Sequence, residues 1–210
     1  MLWISPWGSS SRGRFRRRRV VCNGMGLALL YFLLVMGLYG IAFWMPQIVH
    51  DLDRGSYAAT GLLTAIPYGV AALGMVRVGM HSDRQGERRR HLLACTLLGA
   101  AGFAATWLFS ASLAGSLAAL SCAALGVLSA LALFWALPTA MLSRRAAAGG
   151  IALINSVGNL GGYVSPASLG GLKEATGQMA SGLLLLAGTL GLAALLGLRL
   201  THGLVAKHGR

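Results

Sequence analysis

Apolar side chains in this sequence arrive in long, nearly unbroken runs, and charge is confined almost entirely to the breaks between them. Six runs stand out: Leu27 to Val49, Ala58 to Met80, Leu92 to Ser110, Gly115 to Leu137, Gly149 to Leu172 and Ser181 to Leu200, the fourth extendable through Leu142. The hydrocarbon core of a bilayer is about 30 Å thick and a helix rises about 1.5 Å per residue, so about 20 apolar residues cross it. Each run meets or nearly meets that length. The period-two alternation of a membrane barrel is missing, and Leu, Ala and Gly dominate, so the runs predict helices rather than strands. Any one of them can be the buried helix of a soluble protein. Six within 210 residues leave too little polar surface to cover them. The pattern therefore predicts an all-α, polytopic membrane protein with six transmembrane helices.

Composition agrees: 56% of residues are hydrophobic, 11% are charged and 30 are glycine, with a mean hydropathy of +0.67. The formal charge of +13 does not make the chain a nucleic-acid binder, because such proteins carry Lys and Arg along folded faces and not only between apolar runs. The placement of the 18 Lys and Arg residues is informative in another way. All but Arg54, Arg77 and Lys173 fall in the leading segment, the second and fourth connections and the tail. Positive residues are retained on the cytoplasmic side, so the asymmetry predicts a multi-pass protein of the inner membrane with both termini cytoplasmic. Residues 1–26 are expected to form a basic, disordered lead against anionic lipid, 27–200 the six-helix bundle, and 201–210 a basic tail. The lead is Ser- and Arg-rich but has no obvious amphipathic face, which fits a transit peptide poorly. A signal peptide fits worse, because a full span follows.

Catalysis finds little support. An intramembrane serine protease needs a histidine at bilayer depth, and His50, His81, His91, His202 and His208 fall in connections, span edges or the tail. Asp51, Asp53, Asp83, Glu87 and Glu174 also lie in connections, so no carboxylate pair sits within a span. The glycines of GNLGG lie inside a span with no preceding strand, so they are not a nucleotide fingerprint. Cys22, Cys95 and Cys122 are odd in number and scattered, implying neither a disulfide framework nor a metal site. No enzyme, cofactor or metal is expected.

The second connection, GMHSDRQGERRRH, is more specific than a positive-inside loop requires. Its Gly79, Asp83, Arg84, Gly86, Arg88 and Arg89 combine glycines suited to a tight turn or close helix packing with a carboxylate that can pair with arginines or cap a helix. That arrangement suits a gating latch. It resembles the Gly, Asp-Arg, Gly, Arg-Arg signature joining two helices in each half of major facilitator superfamily transporters. Residues 134 to 172, FWALPTAMLSRRAAAGGIALINSVGNLGGYVSPASLGGL, and GLYGIAFWMPQIV of the first span are similar to the tenth, eleventh and seventh helices of the anion:cation symporter family. That family imports sugar acids, tartrate, phthalate and related organic anions, usually with protons. The resemblance implies one bundle of the major facilitator fold, equivalent to the family's C-terminal half.

Asn155 and Asn159 are four residues apart, on one helical face continued by Gly162 and Pro166. Amides at bilayer depth need partners, either a neighbouring helix or a ligand in a wet cavity. By resemblance, Asn155 and Trp135 occupy substrate-contacting positions, and Tyr31 and Tyr39 are further candidates. Trp44 reads as an interfacial belt residue. Pro46, Pro67, Pro138 and Pro166 fit bending helices, and Arg77 is expected to snorkel to the cytoplasmic surface, with a place in the substrate path as the alternative. The family's charged substrate- and proton-coupling residues lie mainly in the first bundle and have no counterpart here. The implied partners are the bilayer, a small organic anion, protons, and either a separate N-terminal half or a second copy; nucleic acid is not among them. The alternative is a truncated, non-transporting membrane fragment.

Overall fold

A computed structural model describes residues 11–141, 144–177 and 180–208, with side chains over 24–139, 148–177 and 181–200. Every regular element among these residues is helical: α1 (Ser11–Asp53), α2 (Tyr57–Gln85), α3 (Arg88–Leu108), α4 (Leu113–Phe134), α5 (Ala136–Met141), α6 (Arg144–Thr176) and α7 (Ala180–His208). Local chemistry accounts for several of the ends. Ser56 and Ser112 cap α2 and α4, each side-chain oxygen accepting a backbone N–H at 3.2 Å (from Ala59 and Gly115), which satisfies a donor the first helical turn leaves open. Pro138 has no N–H to offer the carbonyl of Phe134 four residues back, and the fourth run accordingly breaks at Trp135 into α4 and the short α5.

The six predicted spans each coincide with a long helix, and two differences have physical causes. The helix of the first span begins earlier than the predicted Leu27, running continuously from Ser11. Arginine has high helix propensity and a span already nucleated supports its extension. Residues 1–10 and 209–210 lie outside those described. Among the described residues, five helices are long and apolar enough to cross a membrane by length and composition, and of the long helices α6 is the exception. Its 33 residues carry Asn155, Ser156, Asn159, Ser165 and several glycines among the aliphatic ones, which lowers its mean apolarity.

Helices α1 and α4 form the centre of the bundle. α1 packs against α6, α7 and α4, while α4 also receives α2 and α3, and α3 closes the far side against α7. Leu27, Leu34, Ile41, Met45, Phe103, Leu120, Phe134, Ile154 and Leu190 are fully buried there. By contrast, α2 leaves Leu62, Ile66, Leu73 and Val76 more than half exposed, as expected for an element bordered by lipid or by another bundle rather than by its own core.

Candidate functional site

Tyr31 of α1 meets Trp135 at the α4–α5 break, and α6 packs on α1 beside them. Gly158 admits the ring of Tyr31, against which any Cβ at 158 would collide, and a Cβ at Gly162 would come within 2.9 Å of the Tyr39 ring. One turn further, the Ser165 hydroxyl donates to the Met36 carbonyl at 2.8 Å in a fully buried bond between the two helices. Small residues thus bring α6 down onto α1, and the hydroxyl bond holds the register where lipid offers no competing partner.

Tyr31 is the meeting point of this region. Its ring lies 5.1 Å from Phe134 in a stacked pair and 4.9 Å from Trp135 edge-on, with Phe134 and Trp135 themselves 5.5 Å apart. Such geometries are favoured by the ring quadrupoles. Tyr31 is buried, so it supports the site from beneath; Trp135, at the α4–α5 break, is half-exposed beside it. Tyr39 is half-buried and stacks on Phe43 at 6.0 Å, further along α1.

Asn155 and Asn159 face away from this packing and are exposed. The Asn159 amide donates to the Asn155 carbonyl oxygen at 3.1 Å, which leaves the Asn155 amide hydrogens and the Asn159 carbonyl available to something outside the bundle. Tyr163, 79% exposed, continues the same line one turn beyond Asn159. It was not singled out from the sequence, although the repeated four-residue spacing that pairs the two asparagines points to it equally.

The latch residues form the α2–α3 hairpin. Gly86 ends α2 with φ of 66°, a left-handed cap that glycine adopts without strain. Asp83 pairs with Arg88 across the turn at 2.9 Å, and Glu87 pairs with Arg90 at 2.8 Å. Asp83 therefore acts as an ion-pair partner and not as a cap; Glu87 occupies the N-cap of α3 without a side-chain capping bond. Arg84 is exposed and Arg89 half-buried. Gly79 differs from expectation: α2 runs through it without a bend, and nothing lies within 4 Å of where a Cβ would sit. The close approach that such a glycine serves is not made inside this bundle. At the opposite end, the Lys173 ammonium stands 5.6 Å over the Trp44 ring, an arrangement attractive for a cation and in keeping with the belt position expected of Trp44.

Six long helices, apolar faces turned outward and an amide pair presented on one of them define a multi-pass membrane protein. Residues 4–166 match the sequence profile of the Major Facilitator Superfamily, and the chain belongs to that family. It is 44% identical over 77% of its length to a quinolone resistance transporter of Acinetobacter baumannii. It is 41% identical over 79% of its length to a protein of Agrobacterium vitis named for tartrate transport, and 36% identical over 87% to NicT of Pseudomonas putida, named for metabolite transport. The matched segments span 37%, 38% and 42% of those relatives' own lengths.

Proposed function

We propose that this bundle is the C-terminal half of a proton-coupled carrier for small organic anions of the inner membrane, with both termini cytoplasmic. It works with a first-half bundle, or with a second copy of itself. The observation that carries the reading is the exposed, hydrogen-bonded Asn155–Asn159 pair on α6, the helix that packs on α1 where Gly158 meets the Tyr31 ring. Amides in an apolar setting are retained where they meet a polar ligand or a polar partner. Similarity to a protein named for tartrate transport supports a hydroxy acid as the first ligand to test.

In this reading, Asn155 and Asn159 offer one donor group and one acceptor to the hydroxyl and carboxylate groups of the anion. Trp135 and Tyr163 wall the same space, and Tyr31 and Tyr39 hold α6 against α1. No acidic residue of the described spans lies at mid-helix; Asp51, Asp53, Asp83, Glu87 and Glu174 all sit at helix ends or turns. Proton coupling through a carboxylate therefore falls to the other half. The two bundles rock about the shared site, opening it alternately to each side, and the α2–α3 hairpin closes against the partner's helix ends through Gly79, Asp83 and Arg84.

The test is uptake of labelled tartrate into proteoliposomes holding the chain alone or together with a first-half bundle, with and without an inward proton gradient. Gradient-stimulated uptake is expected. No uptake in either arrangement, for tartrate, sugar acids or aromatic acids, contradicts the proposal.

A further inference from the structure

We propose that His81 and His91 form a two-imidazole site for a borderline transition-metal ion such as Zn²⁺, straddling the α2–α3 hairpin. The two residues stand on either side of the Gly86 turn, and their ring centroids lie 5.2 Å apart with the planes at 67°. Two imidazoles bound to one ion through nitrogens at about 2.0–2.1 Å, at a near-tetrahedral angle, place their ring centres about 5 Å apart. The separation already matches.

The chemistry of His91 points the same way. Its Nδ1 lies 2.8 Å from the Glu87 carbonyl oxygen. A carbonyl only accepts, so Nδ1 carries a proton, and in the neutral ring the lone pair is then on Nε2. Metal-bound histidines are held in this tautomer by the same kind of bond to a backbone carbonyl. His81 is exposed, so its ring can turn a nitrogen toward a shared ion.

The surroundings limit what can bind. Arg84, Arg88, Arg89 and Arg90 disfavour a cation, and the Asp83–Arg88 and Glu87–Arg90 pairs offset two of them. An ion that gains little beyond charge, such as Mg²⁺ or Ca²⁺, is not favoured there; one that bonds strongly to neutral imidazole is. Among the described residues no group of three or more His, Cys, Asp or Glu converges, so water completes the coordination shell and the site is an exchangeable one. Bound metal ties the end of α2 to the start of α3 across the segment that Asp83 and Arg88 also span. This inference is independent of the transport reading, since it concerns the hairpin of the chain itself.

The experiment uses the full chain, purified without a polyhistidine tag in detergent or nanodiscs and titrated with ZnCl₂ or MgCl₂. Bound Zn²⁺ is measured by equilibrium dialysis, and hairpin closure by the rate of trypsin cleavage after the arginines of 84–90. Zn²⁺ is expected to bind and slow cleavage, and Mg²⁺ to do neither. H81Q and H91Q should each weaken the dialysis-measured affinity by at least about tenfold, while H50Q and the H202Q/H208Q double variant retain it. Wild-type Zn²⁺ affinity in H81Q or H91Q, equal responses to Zn²⁺ and Mg²⁺, or no Zn²⁺ binding by the native chain overturns the proposal. Dialysis reads the ligands directly, so a change in protease sensitivity caused by the substitutions alone does not confuse the result.

Discussion

At Gly158 and Gly79 the same residue type does two different jobs. Gly158 is a packing glycine: the Tyr31 ring occupies the space a Cβ would take. Replacing it with alanine should destabilise the bundle by about 1–3 kcal/mol, the usual penalty for overpacking, seen as a lower unfolding temperature in detergent. Gly79 has open space around it, and Gly79→Ala should leave that temperature within the small range of surface substitutions, roughly ±0.5 kcal/mol. Equal effects at the two positions would contradict the packing assigned here. Asn155→Ala removes one hydrogen-bonding group from the proposed cavity face, and in a working carrier it should raise the KM for anion uptake by about 5–10-fold, the worth of one net hydrogen bond. An unchanged KM would return the amide to a purely structural role. The Asn155–Asn159 line was legible from spacing alone. The burial of Tyr31 was not, because a helix apolar on all sides does not announce which face meets α6; only the small residues of α6, read against α1, carry that information.

Among the elements, the α2–α3 hairpin is the part whose residues were read most fully in advance. Charge pairing across a glycine-capped turn followed from the types and order of its residues. What the sequence left open was the partner of each charge, since four arginines flank two acids and the choice of Arg88 for Asp83 depends on how the turn folds. Both members of that pair are largely solvent-exposed, and exposed pairs add little to stability. In the proposed carrier its role is switching rather than stability. Asp83→Asn should leave helicity and membrane insertion unchanged while slowing uptake, and a normal uptake rate in that variant would rule out a gating role. The break at Trp135 was foreshadowed by Pro138, yet the other three span prolines, Pro46, Pro67 and Pro166, sit inside continuous helices. Proline lowers the cost of a break without dictating one, since neighbouring helices compensate the lost bond. α6 shows the reverse dependence: its polar residues and glycines take it below the apolarity of its neighbours, and it is the helix that presents the amide pair.

For the molecule as a whole, helix number, class and family were accessible from run lengths and from the hairpin signature, because the bilayer imposes a nearly fixed span length on every crossing. The packing order was not, since lipid and protein neighbours are equally apolar and burial leaves little trace in composition. The arginine asymmetry predicts that residues 81–91 and both termini share the cytoplasmic side. In a chain whose native cysteines are replaced, single cysteines at Gln85 and Gly177 should react with an impermeant thiol reagent from opposite faces of oriented vesicles. Labelling of both from one face contradicts the six-span arrangement.

The central claim is that the exposed face of α6 lines an aqueous, anion-binding cavity and not lipid. Its most direct test places a single cysteine at Asn159 and follows its modification by a charged, membrane-impermeant thiol reagent in vesicles, with and without saturating tartrate. Reaction with the reagent and marked slowing by the anion are expected. A cysteine at 159 that stays inert to the charged reagent, or that reacts at the same rate with tartrate present, contradicts it.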